Sequence, residues 1–255
     1  MDFPSLPHLT LDGTSARLEI DPVELRLFYT PLAKIILKKA GESRFVIGVA
    51  GPPGCGKSAF AAILCAIINA SAGLNTAVCI GLDGWHYPNS YLDSHKTIRN
   101  GQEIPLRMVK GAPESYDTEA AKSFLRAARS DSVERFPVYS RALHDPIPQA
   151  GRLELFNRIL LMEGNYLLLD SPIWRDFHPL MDLSIFLTAP REQLIAALRH
   201  RHLAGGKRPD VVEQHILFSD LPNLDLILAH SRPADILVEK TDSRRISKIR
   251  FPENI

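Results

Sequence analysis

The sequence predicts an α/β protein built on a mainly parallel, doubly wound sheet with helices on both faces, a three-layer arrangement. Two observations predict this class. Apolar, β-branched segments alternate along the chain with segments of helix-forming residues, and polar residues directly follow several of the apolar segments. The 255 residues are 45% hydrophobic and 23% charged, which suits one large domain with a buried core.

The N-terminal region, residues 1–43, is predicted as a helical extension. Asp21 is a suitable cap for a helix over 21–40, and Pro22 fits its first turn. Pro31 interrupts the helical pattern, so one kinked helix and two shorter helices are both consistent with the sequence. The extension either packs on the main domain or mediates formation of a homodimer.

A glycine-rich loop with the pattern G-x-x-x-x-G-K-[ST] occupies residues 51–58, between a predicted strand over 44–50 and a predicted helix over 59–69. Glycines allow the backbone to approach an anion, so that successive N–H groups point at phosphate oxygens. Lys57 supplies a positive charge for these phosphates, and the Ser58 hydroxyl suits the oxygen shell of a Mg²⁺ ion. The pattern predicts a P-loop NTPase fold that binds ATP and Mg²⁺. The predicted nucleotide-binding residues in and next to the loop are Gly51, Pro52, Pro53, Gly54, Cys55, Gly56, Lys57, Ser58 and Ala59.

Two further predicted strands end at carboxylates. The strand over 76–82 is followed by Asp83, and the strand over 157–162 is followed by Glu163. In open parallel sheets, ligands bind at the carboxyl ends of the strands, so both side chains are expected beside the phosphate-binding loop. Two carboxylates at that place can hold Mg²⁺ and orient a hydroxyl nucleophile. We expect Asp83 to act as the general base, and Ser58, Asp83 and Glu163 to be the metal ligands.

The long segment 84–156 is predicted to bind a phosphate acceptor. Its first part is rich in Gly, Pro, Asn and Tyr and is too long for a plain connection, which is typical of a functional loop. A helix over 118–129 follows. Short antiparallel strands over 134–139 and 152–156 are predicted around a turn at 145–148.

The C-terminal part continues the alternation with a strand over 182–188, a helix that ends near residue 202 and a last edge strand over 235–239. Arg199 and Arg201, which are followed by a pair of glycines, predict a lid over 199–209 whose arginines stabilise the charge of a transferring phosphoryl group. The alternative is a helix C-terminus whose cations offset the helix dipole. On a regular helix, the two arginines cannot face the same way.

Four further segments come in a characteristic order. They are D-G-W-H-Y-P-N at 83–89, K-G-A-P-E-S-Y-D at 110–117, P-V-Y-S-R at 137–141 with D-P at 145–146, and E-G-N-Y-L-L-L at 163–169. From about 45 to 239, the chain resembles the phosphoribulokinase/uridine kinase family of P-loop kinases. Within that family it resembles the nucleoside/fructose-transport kinase-like branch, near bacterial pantothenate kinase. The resemblance implies phosphorylation of a small-molecule hydroxyl by ATP, with Asp83 as the base and Glu163 near the metal. Trp85 stands where the family usually has Phe, and Ser140–Arg141 replaces a more acidic pair.

Several residues of these segments are expected to contact the acceptor. Trp85 and Tyr87 either form a wall of the acceptor site or anchor the loop to the core. Lys110 is either a pocket residue or a solvated surface lysine, and His144 is either an acceptor contact or a turn residue. The resemblance also suggests Asn223, which follows a helix-breaking proline, as a contact for the base of ATP. The predicted acceptor-binding residues are Trp85, His86, Tyr87, Lys110, Tyr139, Arg141, His144, Asn165 and Tyr166.

The sequence as a whole predicts a Mg·ATP-dependent kinase, with residues 44–255 as the kinase domain. A sugar or a nucleoside ranks first as the acceptor, and pantothenate or a sugar phosphate ranks second. The alternative function is a nucleotide-dependent switch or assembly ATPase. A net charge of +1 gives no reason to expect a nucleic-acid or membrane partner, and residues 1–7 lack the features of a secretion signal, so a cytoplasmic enzyme is expected.

Overall fold

The computed structural model describes residues 20–73, 75–99, 101–130, 132 and 134–251. Its strands are β1 (Phe45–Ala50), β2 (Ala77–Gly81), β3 (Lys96–Arg99), β4 (Gln102–Pro105), β5 (Glu134–Ser140), β6 (Asp145–Leu153), β7 (Ile159–Glu163), β8 (Leu183–Thr188), β9 (Ile236–Lys240) and β10 (Ile246–Arg250). The central sheet has the order β10-β9-β8-β1-β7-β2, and all of its neighbouring strands are parallel except β10, which is antiparallel to β9. The predicted fold class is therefore confirmed. The predicted position of β9 at the sheet edge is wrong, because β10, which the sequence analysis missed, pairs outside it.

Helices cover both faces of this sheet. The α-helices among the described residues are α1 (Pro22–Glu24), α2 (Thr30–Lys39), α3 (Lys57–Ala72), α4 (Asn89–Ser94), α5 (Thr118–Ala128), α6 (Arg191–Ala204), α7 (Pro209–His215) and α8 (Leu221–His230), of which α4 packs on the β3–β4 region and not on the sheet. Shorter 3₁₀ segments occur at Leu82–Trp85, Leu106–Val109, Pro113–Ser115 and Arg175–Leu180. The side chains of β1 alternate between two cores: Ile47 and Val49 pack with α2, α3 and α6, whereas Val46 and Ala50 pack with α5. This alternation is the three-layer arrangement that the sequence predicts.

Two prolines inside helical runs are accommodated by π turns. The π turn Leu25–Tyr29 joins α1 to α2 just before Pro31, and the π turn Ile216–Asp220 joins α7 to α8 just before Pro222. In the first of these, the N–H of Thr30 donates to a carbonyl five residues back, so the turn is wider than an α-helical turn. The wider turn gives room for the proline ring, which clashes with an ordinary helix. The helical path therefore continues through both prolines, and the predicted break at Pro222 is wrong.

The N-terminal helices belong to the main core. Tyr29, Leu32 and Ile36 are buried in the same cluster as Phe60 of α3, and the rings of Tyr29 and Phe60 lie 5.4 Å apart. Part of the predicted extension over 1–43 therefore packs on the central domain. Residues 1–19 lie outside the described residues, and they include residues 1–7, which lack the sequence features of a secretion signal.

The segment between β2 and β7 contains two hairpins, β3–β4 and β5–β6. The predicted antiparallel pairing of two strands is present, but the predicted bounds of the second strand, 152–156, and of the turn, 145–148, are wrong: β6 covers 145–153, and the turn lies at residues 141–144. Pro146 and Pro148 are compatible with β6, since both strands of a two-stranded ribbon are edge strands. The β3–β4 region has a small core of its own, formed by Leu92, Leu106, Val109 and Ala112.

Candidate active site

The phosphate-binding loop joins β1 to α3 at the carboxyl edge of the sheet. The backbone φ angles of Gly51, Gly54 and Gly56 are +149°, +85° and +81°, a region of φ that other residues adopt only with strain. A Cβ atom at Gly54 would lie 2.7 Å from the carbonyl oxygen of Leu194, so helix α6 packs directly on the loop. Glycine at these positions allows both the curvature of the loop and the close approach of α6.

Ser58 and Glu163 meet at the end of this loop. The Ser58 hydroxyl donates a hydrogen bond of 2.8 Å to Oε1 of Glu163, whose side chain is buried at the end of β7. Lys57 is also buried, and its ammonium group donates to the carbonyl of Pro52 at 3.0 Å. A hydroxyl and a carboxylate are hard oxygen ligands, and they fit Mg²⁺. The residues present therefore suit both a nucleotide phosphate and its metal ion.

Asp83 lies just beyond the end of β2 and is half-exposed. The Tyr116 hydroxyl donates to Oδ1 of Asp83 at 3.1 Å, and Nδ1 of His86 lies 2.9 Å from the backbone oxygen of the same aspartate. Burial by itself would raise the pKa of the Asp83 carboxyl, but the His86 ring and the Tyr116 hydrogen bond lower it. The charges of Arg141 and Lys57 act in the same direction, so the pKa lies below its usual value. Asp83 is therefore a carboxylate at neutral pH.

A cavity of about 80 Å³ opens beside this carboxylate. Its lining includes Gly81, Asp83, Gly84, Tyr139, Arg141 and Glu163. The β5–β6 hairpin reaches the cavity because Gly84 has no side chain: a Cβ atom there would lie 2.9 Å from the carbonyl carbon of Pro137. Both carboxylates at the sheet edge and one face of β5 thus surround the same space.

Lys110 connects the tip of the β5–β6 hairpin to helix α4 through hydrogen bonds. Its ammonium donates to Oδ1 of Asn89 at 2.7 Å and to the carbonyl of His144 at 2.6 Å, and it lies 3.7 Å from Oδ1 of Asp145. It also lies 5.1 Å from the ring centre of Tyr139. His144 is exposed, has φ of +51° and contributes its carbonyl, as a turn residue does. The structure places Lys110 among these partners rather than at a solvated surface.

Two predicted acceptor contacts lie in the core instead of the cavity. Trp85 is 4% exposed, and its ring packs 5.1 Å from Phe124. Tyr166 is fully buried, and its hydroxyl donates to the carbonyl of Gly111 at 2.6 Å. Asn223 donates to the same carbonyl at 3.4 Å, so this predicted base contact joins α8 to the acceptor segment. Trp85 thus anchors its loop to the core, and Tyr166 and Asn223 both bind the backbone of the acceptor segment at Gly111.

The remaining predicted acceptor contacts are His86, Tyr87 and Asn165. The His86 ring is buried and lies 3.9 Å from the ring of Tyr116. Tyr87 is half-buried and stacks on Tyr91 at 4.2 Å. Asn165 is half-buried in the segment that follows β7. Of the three, His86 has direct contact with the predicted base.

Arg199 and Arg201 have different partners, as expected from their spacing on α6. Arg199 donates two hydrogen bonds to the exposed Glu213, of 2.5 and 2.9 Å. Arg201 lies 3.8 Å from Oδ1 of the buried Asp220, and Oδ2 of the same aspartate lies 2.7 Å from Nε2 of His202. The guanidinium group of Arg199 is thus engaged by two hydrogen bonds, whereas the guanidinium group of Arg201 has a longer contact of 3.8 Å.

Arg107 is a candidate site residue that the sequence analysis missed. It lies in the 3₁₀ segment Leu106–Val109, and its buried Nη1 nitrogen has no hydrogen-bond partner among the residues that the structure describes. Burial lowers the pKa of Lys110, and the charge of Arg107 acts in the same direction. Lys110 lies just beyond the end of this 3₁₀ segment, so no helical spacing in the sequence pointed to Arg107.

The sequence profile of the phosphoribulokinase / uridine kinase family matches residues 46–247. The chain belongs to this family. Pantothenate kinase of Enterococcus faecalis is 32% identical over 230 residues, which cover 80% of this chain and 71% of that enzyme. YggC of Escherichia coli (strain K12), an uncharacterized protein, is 31% identical over 240 residues, which cover 93% of this chain and 96% of YggC.

A solved structure from Silicibacter sp. TM1040, provisionally named a fructose transport system kinase, gives a TM-score of 0.73 at 31% identity. The match covers 83% of this chain and 98% of that one. The protein is thus a P-loop small-molecule kinase of the uridine kinase, phosphoribulokinase and pantothenate kinase type. Among the described residues, none of the helices is both long and apolar enough to cross a membrane.

Proposed function

We propose that the protein transfers the γ-phosphate of Mg·ATP to a hydroxyl group of a small molecule that binds beside Asp83. The observation that carries this proposal is the cavity that Asp83 and Glu163 share, next to a phosphate-binding loop whose Ser58 is bonded to Glu163 at 2.8 Å. A nucleotide-dependent switch needs no such cavity beside its carboxylates. The geometry therefore favours phosphoryl transfer over the alternative ATPase function.

Each side chain has a separate task in this reaction. The loop at 51–58 binds the phosphates of ATP, and Lys57 places a charge against them. Ser58 and Glu163 are the residues that would hold Mg²⁺, which neutralises phosphate charge when bound. Asp83 accepts the proton of the acceptor hydroxyl, and a low pKa keeps it ionised for this role.

The insertion and the lid complete the proposed site. Residues 84–156 surround the acceptor, and residues 199–209 close over the phosphates. Arg201 is the better candidate for the lid arginine, because Arg199 is held by two hydrogen bonds to Glu213. Sugars, nucleosides, pantothenate and sugar phosphates are the candidate acceptors.

A screen of ADP release tests the proposal. The full chain is incubated with Mg·ATP and single members of these acceptor classes, and products are identified by ³¹P NMR. The expected result is that one acceptor raises ADP release at least about tenfold and yields one phosphorylated product per ADP. Lys57→Met is expected to lower this rate by about 10²- to 10³-fold, whereas Lys38→Met, at an exposed position, does not change it.

Two results would count against the kinase proposal. One is ADP release that no acceptor stimulates, with inorganic phosphate as the sole product, which is the behaviour of a switch ATPase. The other is equal loss of activity in the Lys57 and Lys38 variants, which would separate catalysis from the phosphate-binding loop.

A further inference from the structure

Lys240, the last residue of β9, places a buried ammonium group against the phosphate-binding loop. The ammonium donates to the carbonyl of Cys55 at 3.0 Å and to the carbonyl of Ser243 at 2.6 Å. A Cβ atom at Gly56 would lie 2.9 Å from its nitrogen and would collide with the carbonyl oxygen of Ser243. Lys240 therefore lies against the peptide that joins Cys55 to Gly56.

The turn between β9 and β10 fixes the second acceptor of this ammonium. Oδ1 of Asp242 accepts the backbone N–H groups of Arg244 and Arg245, at 2.7 and 2.9 Å. These hydrogen bonds hold the backbone on both sides of Ser243 in one conformation. The carbonyl of Ser243 is therefore kept in place facing Lys240.

The contact with Cys55 also determines where the next N–H group points. The peptide between Cys55 and Gly56 is trans, and in a trans peptide the C=O and N–H groups point in opposite directions. Because Lys240 binds the carbonyl of Cys55, the N–H of Gly56 is directed away from the ammonium. This N–H has no acceptor among the described residues, so it is available to a phosphate oxygen.

The positive charge of Lys240 is not balanced within the described part of the chain. It forms no ion pair there, and both of its hydrogen-bond acceptors are neutral carbonyls. Burial lowers the pKa of the ammonium, and the charge of Lys57 acts in the same direction. The nearby groups of Cys55, Glu24 and Asp242 raise this pKa without reversing the direction. A buried ammonium without an opposite charge is costly, and an anion on the loop would reduce that cost.

We propose that Lys240 is a positioning residue for ATP: it holds the carbonyl of Cys55 so that the Gly56 N–H faces the phosphates, and the bound phosphates balance its charge. Lys240 acts through the backbone of the loop, whereas Lys57 acts on the phosphates themselves. The inference rests on the proposed function, because it takes ATP as the nucleotide on this loop. It goes beyond that function by assigning a residue that lies outside the G-x-x-x-x-G-K-[ST] pattern.

Binding of Mg·ATP to the full chain, measured by isothermal titration calorimetry, tests this proposal. Lys240→Met keeps the apolar stem and removes the ammonium, so the Kd of Mg·ATP should rise by about 10- to 100-fold. The KM of Mg·ATP should rise by the same factor, while the KM of the acceptor stays within about threefold. Lys248→Met is the matched control, since Lys248 is exposed on β10, and it should leave these constants unchanged.

Proton uptake on binding is a readout that a purely structural role would not change. The phosphates favour the charged form of Lys240 and raise its pKa, so binding of Mg·ATP at about pH 9.5 should take up protons. Calorimetry in buffers of different ionisation enthalpy measures this uptake, which should be smaller in Lys240→Met than in the parent protein. Lys240→Arg keeps its charge at this pH, so it should also show the smaller uptake while its Kd stays within about tenfold of the parent value.

The possible failures are distinguishable. If Lys240→Met, shown to be folded by thermal melting, binds Mg·ATP within about threefold of the parent protein, the inference is wrong and the kinase proposal stands. If Lys240→Met does not fold, Lys240→Arg decides: an uptake of protons equal to that of the parent overturns the inference, and a smaller uptake with retained affinity supports it. If the parent protein does not bind Mg·ATP, the proposed function fails and the inference fails with it.

Discussion

Replacement of Asp83 by Asn removes one negative charge from the cavity while almost preserving the volume of the side chain. Asparagine keeps an oxygen that accepts the Tyr116 hydroxyl, now 3.1 Å away, and the contact of His86 with the backbone oxygen, at 2.9 Å, does not involve the side chain. The surroundings of residue 83 are therefore preserved. The change isolates the ability of this group to accept a proton.

The expected loss follows from that role. General base catalysis contributes about 10²- to 10⁴-fold, so kcat with the productive acceptor should fall by this factor, or about 3 to 5 kcal/mol of transition-state stabilisation. The KM of Mg·ATP should stay within about threefold, because the proposed role of Asp83 concerns the acceptor hydroxyl and not the nucleotide. Tyr116→Phe removes the 3.1 Å hydrogen bond alone and should lower kcat by less than about tenfold.

The assay is ADP release at saturating acceptor, with Mg·ATP and acceptor titrated separately. Asp93→Asn, at an exposed position of α4, is the matched control for the charge change. A kcat for Asp83→Asn within about tenfold of the parent enzyme would refute the general-base role. A rise of more than about tenfold in the KM of Mg·ATP would instead assign Asp83 to the metal site.

Glu163→Gln keeps an acceptor for the 2.8 Å hydrogen bond from Ser58 but removes a charged metal ligand, so the Mg²⁺ concentration for half-maximal ADP release should rise at least about tenfold. Arg201→Met should lower kcat at least about tenfold, whereas Arg199→Met should change it by less than about threefold; equal effects would contradict the lid assignment. The free energy of unfolding, from urea titrations, should decrease as the pH falls below 6.5. Burial lowers the pKa of His86 in the folded state, so the unfolded chain takes up the proton first, and His86→Gln should make this decrease smaller.

The positions that the sequence predicted for the glycine loop, Asp83 and Glu163 depend on local or topological rules. The glycine loop has a fixed spacing, and its strand and helix follow from apolar and helix-forming runs that border it directly. Asp83 and Glu163 could be placed together because neighbouring parallel strands end at one edge of the sheet. These rules require no knowledge of side-chain packing.

The missed features depend on contacts that no local pattern encodes. The Asp-Pro-Ile-Pro segment is typical of a turn, yet it forms the start of β6, because a two-stranded ribbon leaves the proline nitrogens at an edge. Trp85 suits a pocket wall equally well until the position of Phe124 is known. The burial of the Arg107 Nη1 nitrogen without a hydrogen-bond partner among the described residues is visible only in three dimensions.

The small core of the β3–β4 region, formed by Leu92, Leu106, Val109 and Ala112, has a consequence for redesign. The two ends of this region are paired with each other: His86 bridges to Tyr116, and Asp117 donates from its backbone to the carbonyl of Trp85 at 2.8 Å. A segment with its own core and adjacent ends can be exchanged as a unit when the host keeps its contacts with that segment, here the hydrogen bonds that Tyr166 and Asn223 donate to the carbonyl of Gly111. A chimera that carries residues 86–116 from a relative, in a host that retains Tyr166 and Asn223, should therefore exchange acceptor preference while it retains the ATP-binding machinery.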